Sequence, residues 1–239
     1  AHEIKNPLTP IQLSAERLQH KLEPKLEESD QGLLARSVST IVAQVQSMQR
    51  LVNEFRDYAR LPSAQPAPLD LNGLIAEVTA LYGLATEQGH LQHRLEPGLP
   101  LIMGDASQLR QVIHNLIQNS LDAVEAQDDG LVTVITETSR NEEGQIRGVR
   151  MKVQDNGPGF ADKVMKRAFE PYVTTKAKGT GLGLAVVRKI ADEHGARIRL
   201  ANRVDFTGPD AASRGAQVSI SFSKLAAATA PNGPVFAAH

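Results

Sequence analysis

Apolar positions in the first sixty residues recur with the period of a helix. Ile4, Leu8, Ile11, Ala15, Leu18 and Leu22 alternate spacings of 4 and 3, as do Leu34, Val38, Ile41, Val45, Met48, Val52 and Phe55. Each run lays one apolar stripe along a helix. Between them the segment Glu23 to Gly32 carries Pro24, Ser29, Asp30 and Gly32, which predicts a helix stop and a restart. Two antiparallel helices cannot cover both stripes, and a second copy of the hairpin completes a four-helix bundle. Residues 1–60 are therefore expected to dimerise; the competing reading packs the stripes on the rest of the chain.

Residues 61–68, Leu-Pro-Ser-Ala-Gln-Pro-Ala-Pro, read as a semi-rigid linker. Beyond it strands and helices mix. Asp70 predicts the N-cap of a helix to about Gln88, with Leu74, Val78 and Leu81 on one face. Strands near 91–96 and 100–103 precede a helix from Ala106 to about Ala126, apolar at Leu109, Val112, Ile113, Leu116, Ile117 and Leu121. Strands at 131–139 and 147–155, helices near 161–168 and 181–194, and strands at 196–203 and 215–223 follow. Mixed order with hairpins predicts an α/β sandwich over 69–223, in an α+β chain, and not a doubly wound parallel sheet. The Ala/Pro/Gly-rich end, 224–239, is expected to be a disordered tail.

Composition narrows the function classes. Of the 239 residues, 41% are hydrophobic and 22% charged, which suits a folded chain. The formal net charge of −1 argues against a nucleic-acid binder held by bulk electrostatics. No cysteine is present, so disulfides, thiolate zinc sites and cysteine nucleophiles are excluded. No apolar run is long enough to span a bilayer, which predicts a cytoplasmic setting for these residues.

Three clusters carry chemistry. Asn115 and Asn119 stand four apart on a helix, on one face. Asp155-Asn156-Gly157-Pro158-Gly159 follows a strand, and Gly179-Thr180-Gly181-Leu182-Gly183 precedes a helix. The last cluster lacks the Lys-Ser/Thr of a P-loop and the glycine spacing of the dinucleotide fingerprint. Its backbone N–H groups at a helix start nevertheless suit phosphate oxygens, with Lys176 and Lys178 beside them. HEIKN at 2–6 lacks the second histidine of a zinc-protease motif, and His90, His93 and His114 have no metal-ligand company.

The order helix-Asn, strand-Asp-x-Gly-x-Gly, loop, Gly-x-Gly-x-Gly resembles the ATP-binding fold shared by gyrase, Hsp90, MutL and histidine kinases. That resemblance implies ATP and Mg²⁺ as ligands. It assigns the adenine amino group to Asp155, with Gly157 and Gly159 letting the backbone approach the base, and Mg²⁺ to Asn119, with Asn115 nearby. It makes residues 169–183 an ATP lid that includes Lys176, Gly179, Thr180, Gly181, Leu182 and Gly183. The opening Ala1-His2-Glu3-Ile4-Lys5-Asn6-Pro7-Leu8-Thr9-Pro10 and Phe169-Glu170-Pro171-Tyr172 resemble the phosphoacceptor and phenylalanine boxes of sensor histidine kinases. The extended run to Leu18, with FEPYVTTK, resembles the nitrogen-regulation group of that family.

The resemblance implies autophosphorylation of His2 with Glu3 as general base, and Asn6 as the residue aligning water for phosphatase action. A response-regulator receiver domain would accept the phosphoryl group, docking near Gln12, Ser14, Arg17 and Gln19. The chain then reads as the catalytic end of a longer, inner-membrane-anchored protein. One departure is Asp122, where many such kinases carry a basic residue three positions after the Mg²⁺-binding Asn; Lys176 is expected to supply that charge. A phosphatase-dominant form and a non-catalytic ATP-sensing scaffold are the alternatives.

Overall fold

The computed structural model describes residues 2–59, 61–174, 176, 179–204 and 213–227. Thr175, Lys178 and residues 228–239 of the expected tail lie outside the described residues, as do the side chains of residues 2–6. The chain divides into two compact units, Ala1–Pro62 with Lys166–Val186, and Ser63–Met165 with Val187–His239.

The first unit holds a helical hairpin. Helix α1 (His2–Leu22) runs through Pro7 and Pro10, a 3₁₀ turn follows at Glu23–Lys25, and α2 spans Glu28–Ala59. The restart thus comes four residues before Gly32, which lies inside α2. Glu28 and Asp30 sit in the first turn, where negative charge complements the helix dipole, and a helix of this length tolerates the ~1 kcal/mol cost of an internal glycine.

Burial splits each apolar stripe in two. Leu8 and Ala15, seven apart, are buried within the hairpin, as are Val38 and Val45. The alternate members Ile11 and Leu18, and Ile41, Met48 and Phe55, also seven apart, stay between 43% and 56% exposed. A helix pair covers one line of each seam and leaves the other line bare.

The second unit is an α/β sandwich. After β1 (Ala67–Leu69) come α3 (Leu71–Ala80), α4 (Gly83–Glu87), β2 (Leu91–Leu95), β3 (Ile102–Gly104) and α5 (Ala106–Val124). The hairpin β4 (Val132–Arg140) and β5 (Ile146–Asp155) precedes a short α6 (Asp162–Met165), then α7 (Gly183–Glu193), β6 (Arg197–Val204) and β7 (Ser213–Phe222). The main sheet has order β2-β4-β5-β7-β6, with β2 parallel to β4 and every other pair antiparallel. Helix α5 packs on β4 and β5 and against α3. Val134, Met151, Val153 and Ile220 face this core, which is mostly aliphatic and includes Phe222.

Three expectations change. The helix from Asp70 breaks at Leu81–Tyr82 into α3 and α4. At this break the Tyr82 hydroxyl meets His114 Nδ1 of α5 at 2.7 Å, the role found for that histidine. The linker ends as a strand, since β1 pairs antiparallel with β3. The segment expected as tail is ordered at its start: Leu225 bridges Ile102, and Met103 N–H donates to Lys224 O at 2.9 Å. These pairings join segments far apart in sequence, so no local pattern announces them. No helix among the described residues is long and apolar enough to cross a membrane.

Candidate functional site

The site is built first from Asp105. It caps α5: its Oδ1 accepts from Ser107 N at 2.9 Å, Gln108 N at 3.2 Å and Ser107 Oγ at 2.7 Å. Its Oδ2 accepts Gln65 N at 3.0 Å, which fastens the linker to the same cap. These donors, Gln65 N–H foremost, hold the Asp105 carboxyl down at about 2. The Asp105 backbone N–H donates to His194 Nε2 at 2.9 Å, while buried His194 engages Ile190 O through Nδ1 at 2.8 Å. His194 therefore ties the end of α7 to the start of α5.

From that anchored start, α5 buries Leu109, Val112, Ile113, Leu116 and Ile117, which fixes the rotation of its other face. Asn115 and Asn119 come out half-buried on adjacent turns, as the spacing requires. Asp122 is exposed and accepts from Gln118 Nε2 at 2.7 Å. Burial, with the Asp122 charge beside it, pushes the Tyr82 phenol up to about 12.

Asp155 ends β5 and is only 4% exposed. Its Oδ1 accepts two backbone N–H groups, Gly157 at 3.0 Å and Ala216 at 3.0 Å. No described residue donates to Oδ2. A Cβ at Gly157 would stand 3.0 Å from Ala123 O and 3.2 Å from Asp155 Oδ1, so the glycine keeps α5 and this strand end close. Gly159 adopts φ +78°. The loop is then clamped on both sides. Asn156 Oδ1 accepts Leu131 N at 2.7 Å, and Asn202 exchanges hydrogen bonds with Phe160 N at 2.7 Å and Phe160 O at 2.8 Å.

The glycine-rich segment belongs to the other unit and is described by itself. Tyr172, the non-glycine residue with positive φ (67°), donates its N–H to Gly181 O at 3.1 Å. Gly181 has φ +71°, and a Cβ there would meet Tyr172 C at 2.6 Å. Gly179 abuts Thr174 Oγ1, which also accepts Lys176 N at 3.1 Å. Thr180 Oγ1 accepts Leu182 N at 3.3 Å just before α7 begins at Gly183. Leu182 is fully buried. It thus reads as an apolar anchor whose backbone can still serve a ligand.

His2 and Asn6 stand one helical turn apart in α1, with Glu3 between them. Pro7 and Pro10 have no N–H, which leaves the carbonyls of Glu3 and Asn6 without helical donors. Of the expected docking residues, Ser14 and Arg17 are exposed, whereas Gln12 and Gln19 share the hairpin side with Leu8 and Ala15 and are half-buried. Sequence reasoning missed Asp105, His194, Asn202 and Gly215. A glycine inside a strand pattern, as at Gly215, is the one signal that pointed to a close approach.

Among the described residues no group of three or more His, Cys, Asp or Glu could hold a metal ion. The donor expected from the sequence is the Asn119 amide oxygen. A single amide oxygen fits Mg²⁺ that arrives with phosphates and keeps its waters, and does not fit an all-protein metal cage.

Comparison with known proteins gives the family. Residues 104–226 match the family described as histidine kinase-, DNA gyrase B-, and HSP90-like ATPase. Residues 1–64 match the His Kinase A (phospho-acceptor) domain. The nitrogen regulation protein NtrY of Azorhizobium caulinodans is 37% identical over 205 residues, 84% of this chain and 26% of that protein. The chain therefore spans about a quarter of that curated relative. Full-length ShkA in complex with AMPPNP superposes with a TM-score of 0.66 at 27% identity, over 95% of this chain and 45% of that one. Histidine kinase ThkA in complex with the response regulator protein TrrA gives 0.63 at 25% identity, over 94% and 60%. The chain belongs to the sensor histidine kinases, as an NtrY-like catalytic core.

Proposed function

We propose that this chain is an ATP:protein-histidine phosphotransferase that phosphorylates His2 and passes the group to an aspartate of a response-regulator receiver domain. The observation that carries the reading is Asp155: a buried carboxylate with one oxygen saturated by backbone N–H groups and the other left for a ligand. That arrangement selects a base with an exocyclic amino group, which is adenine's recognition feature. The AMPPNP complex of the similar ShkA supports a nucleoside triphosphate as that ligand.

Asn119, with Asn115 beside it, would hold Mg²⁺ through an amide oxygen, and the ion when bound neutralises phosphate charge. The lid from 169 to 183 covers the triphosphate: Gly179, Gly181 and Gly183 let backbone N–H groups approach it, and Thr180 and Leu182 set that backbone. Lys176 supplies the positive charge that Asp122 does not. The neutral imidazole is the nucleophilic form of His2. One ring nitrogen attacks the γ-phosphorus in line, the bond to the β,γ-bridging oxygen breaks, and ADP leaves with that electron pair. Glu3 accepts the proton from the other nitrogen.

A phosphatase activity on the phosphorylated partner is the second reading, favoured by Asn6 standing one turn after His2 on α1. Ser14 and Arg17 belong to the docking face for the receiver domain, a partner class supported by the ThkA–TrrA complex. The bare half of each seam is the contact with a second copy. The parent protein is anchored at the inner membrane, and this core works on its cytoplasmic side. Incubation with γ-labelled ATP is expected to give acid-labile, alkali-stable label in the wild type and none in His2→Gln. Persistent label in His2→Gln sinks the assignment.

A further inference from the structure

A glycine 60 positions beyond Asp155, on a different strand, lies against the backbone of that residue. Gly215 has φ +120°, a conformation L side chains rarely adopt. A Cβ built there would overlap Asp155 O and stand 2.8 Å from Asp155 C. No side-chain rotation relieves such a contact, because both atoms are backbone. The next residue, Ala216, donates its N–H to Asp155 Oδ1 at 3.0 Å. Arg203 Nη1 of β6 donates to the same Asp155 carbonyl at 3.2 Å. The end of β5 is therefore gripped from the β7 side through a gap that only glycine leaves open.

We propose that Gly215 is a positioning residue for base recognition: by admitting the Ala216 N–H, it locks the Asp155 carboxylate with Oδ2 as the single oxygen presented to the nucleotide. This rests on the reading of Asp155 as the acceptor for the adenine amino group. The reasoning is geometric. With only the Gly157 N–H, the carboxylate can swing about its Cα–Cβ bond within one turn of its own loop. The second donor comes from a different strand, so the two N–H groups fix both the rotamer and which oxygen they occupy. A fixed, acceptor-only oxygen favours a 6-amino purine and disfavours one that has no donor at that position. A hydrogen bond to a charged group discriminates by roughly one to two orders of magnitude.

The test compares Mg·ATP with Mg·purine riboside 5′-triphosphate, which differs only in lacking the 6-amino group. Dissociation constants are measured by calorimetry on the full chain for the wild type, Gly215→Ala and Arg203→Met. The wild type is expected to prefer ATP by about tenfold or more. Gly215→Ala, which must push β7 off Asp155, is expected to bring that preference within about threefold while both nucleotides still bind. A general loss of folding lowers both affinities and leaves their ratio unchanged, so the ratio separates positioning from structure. Arg203→Met adds no bulk and is expected to reduce the ratio in the same direction, which keeps the test decisive if Gly215→Ala does not fold. An unchanged ratio in either folded variant, beside a discriminating wild type, overturns the role of the β7 grip and leaves Asp155 as the acceptor. A wild type that binds both nucleotides equally overturns the Asp155 reading itself.

Discussion

Single residues in this protein serve several elements at once, and Asp105 shows how far that goes. One carboxylate caps the helix that carries Asn115 and Asn119, while its main chain holds the histidine at the end of α7. Its second oxygen receives the linker at Gln65. The sign of its pH dependence follows from its depressed value, about 2 against an ordinary 3.8. The folded state prefers the ionised form, so this stabilisation is complete above about pH 4 and is lost as pH falls through about 2. Asp105→Ala is expected to cost about 1–2 kcal/mol at pH 7, the range for a lost N-cap. Urea denaturation at a series of pH values checks this, because the gap to wild type should narrow between pH 4 and pH 2. A gap independent of pH means that the carboxylate charge is not what stabilises the cap.

At the scale of elements, the seam of the helical hairpin divides its labour. Val45 belongs to the line buried inside the hairpin, and Ile41 and Met48 to the line left exposed. Charging the exposed line is expected to separate copies without unfolding the hairpin. The double variant Ile41→Glu, Met48→Glu should sediment as a monomer with unchanged helix content by circular dichroism. Val45→Glu should lose helicity as well. If the double variant remains dimeric, the copies meet through another surface.

The same seam marks what a sequence can and cannot disclose. Its period of alternating fours and threes was plain, yet one stripe became two lines with different neighbours, which only the partner helix decides. Asp70 and the strand-ending Asp155 were legible because a cap and a turn are local events. The β1–β3 pair, the Leu225 bridge and the Ala216 bond to Asp155 were not, because each joins residues that meet only after folding. Tyr82 misled in the same way: its surroundings were helix-compatible, and its hydroxyl reaches across to α5.

At the scale of the whole molecule, two compact units predict two separable responses. One unit carries the seam proposed to meet a second copy, and the other carries the buried carboxylate proposed to meet the base. Scanning calorimetry is expected to show two transitions. Mg·ATP at about 100 times its dissociation constant should stabilise one by about 2.7 kcal/mol. Dilution of the protein should lower the other, whose midpoint depends on association. Both transitions shifting together under either treatment would show a single cooperative body in place of two.

The sheet order has a further consequence, for solubility. Among the described residues the five-stranded sheet ends in two strands, β2 and β6, each with one side unpaired within the sheet. Unpaired strand sides invite other sheets to add to them, and filaments grow that way. Arg94 on β2, and Arg197 and Arg199 on β6, are exposed and carry positive charge along those two rims. Like charges facing each other across any new strand pair repel, so the rims oppose edge-to-edge growth of the sheet from copy to copy. The charge on these rims thus works against filaments without touching the helical seam.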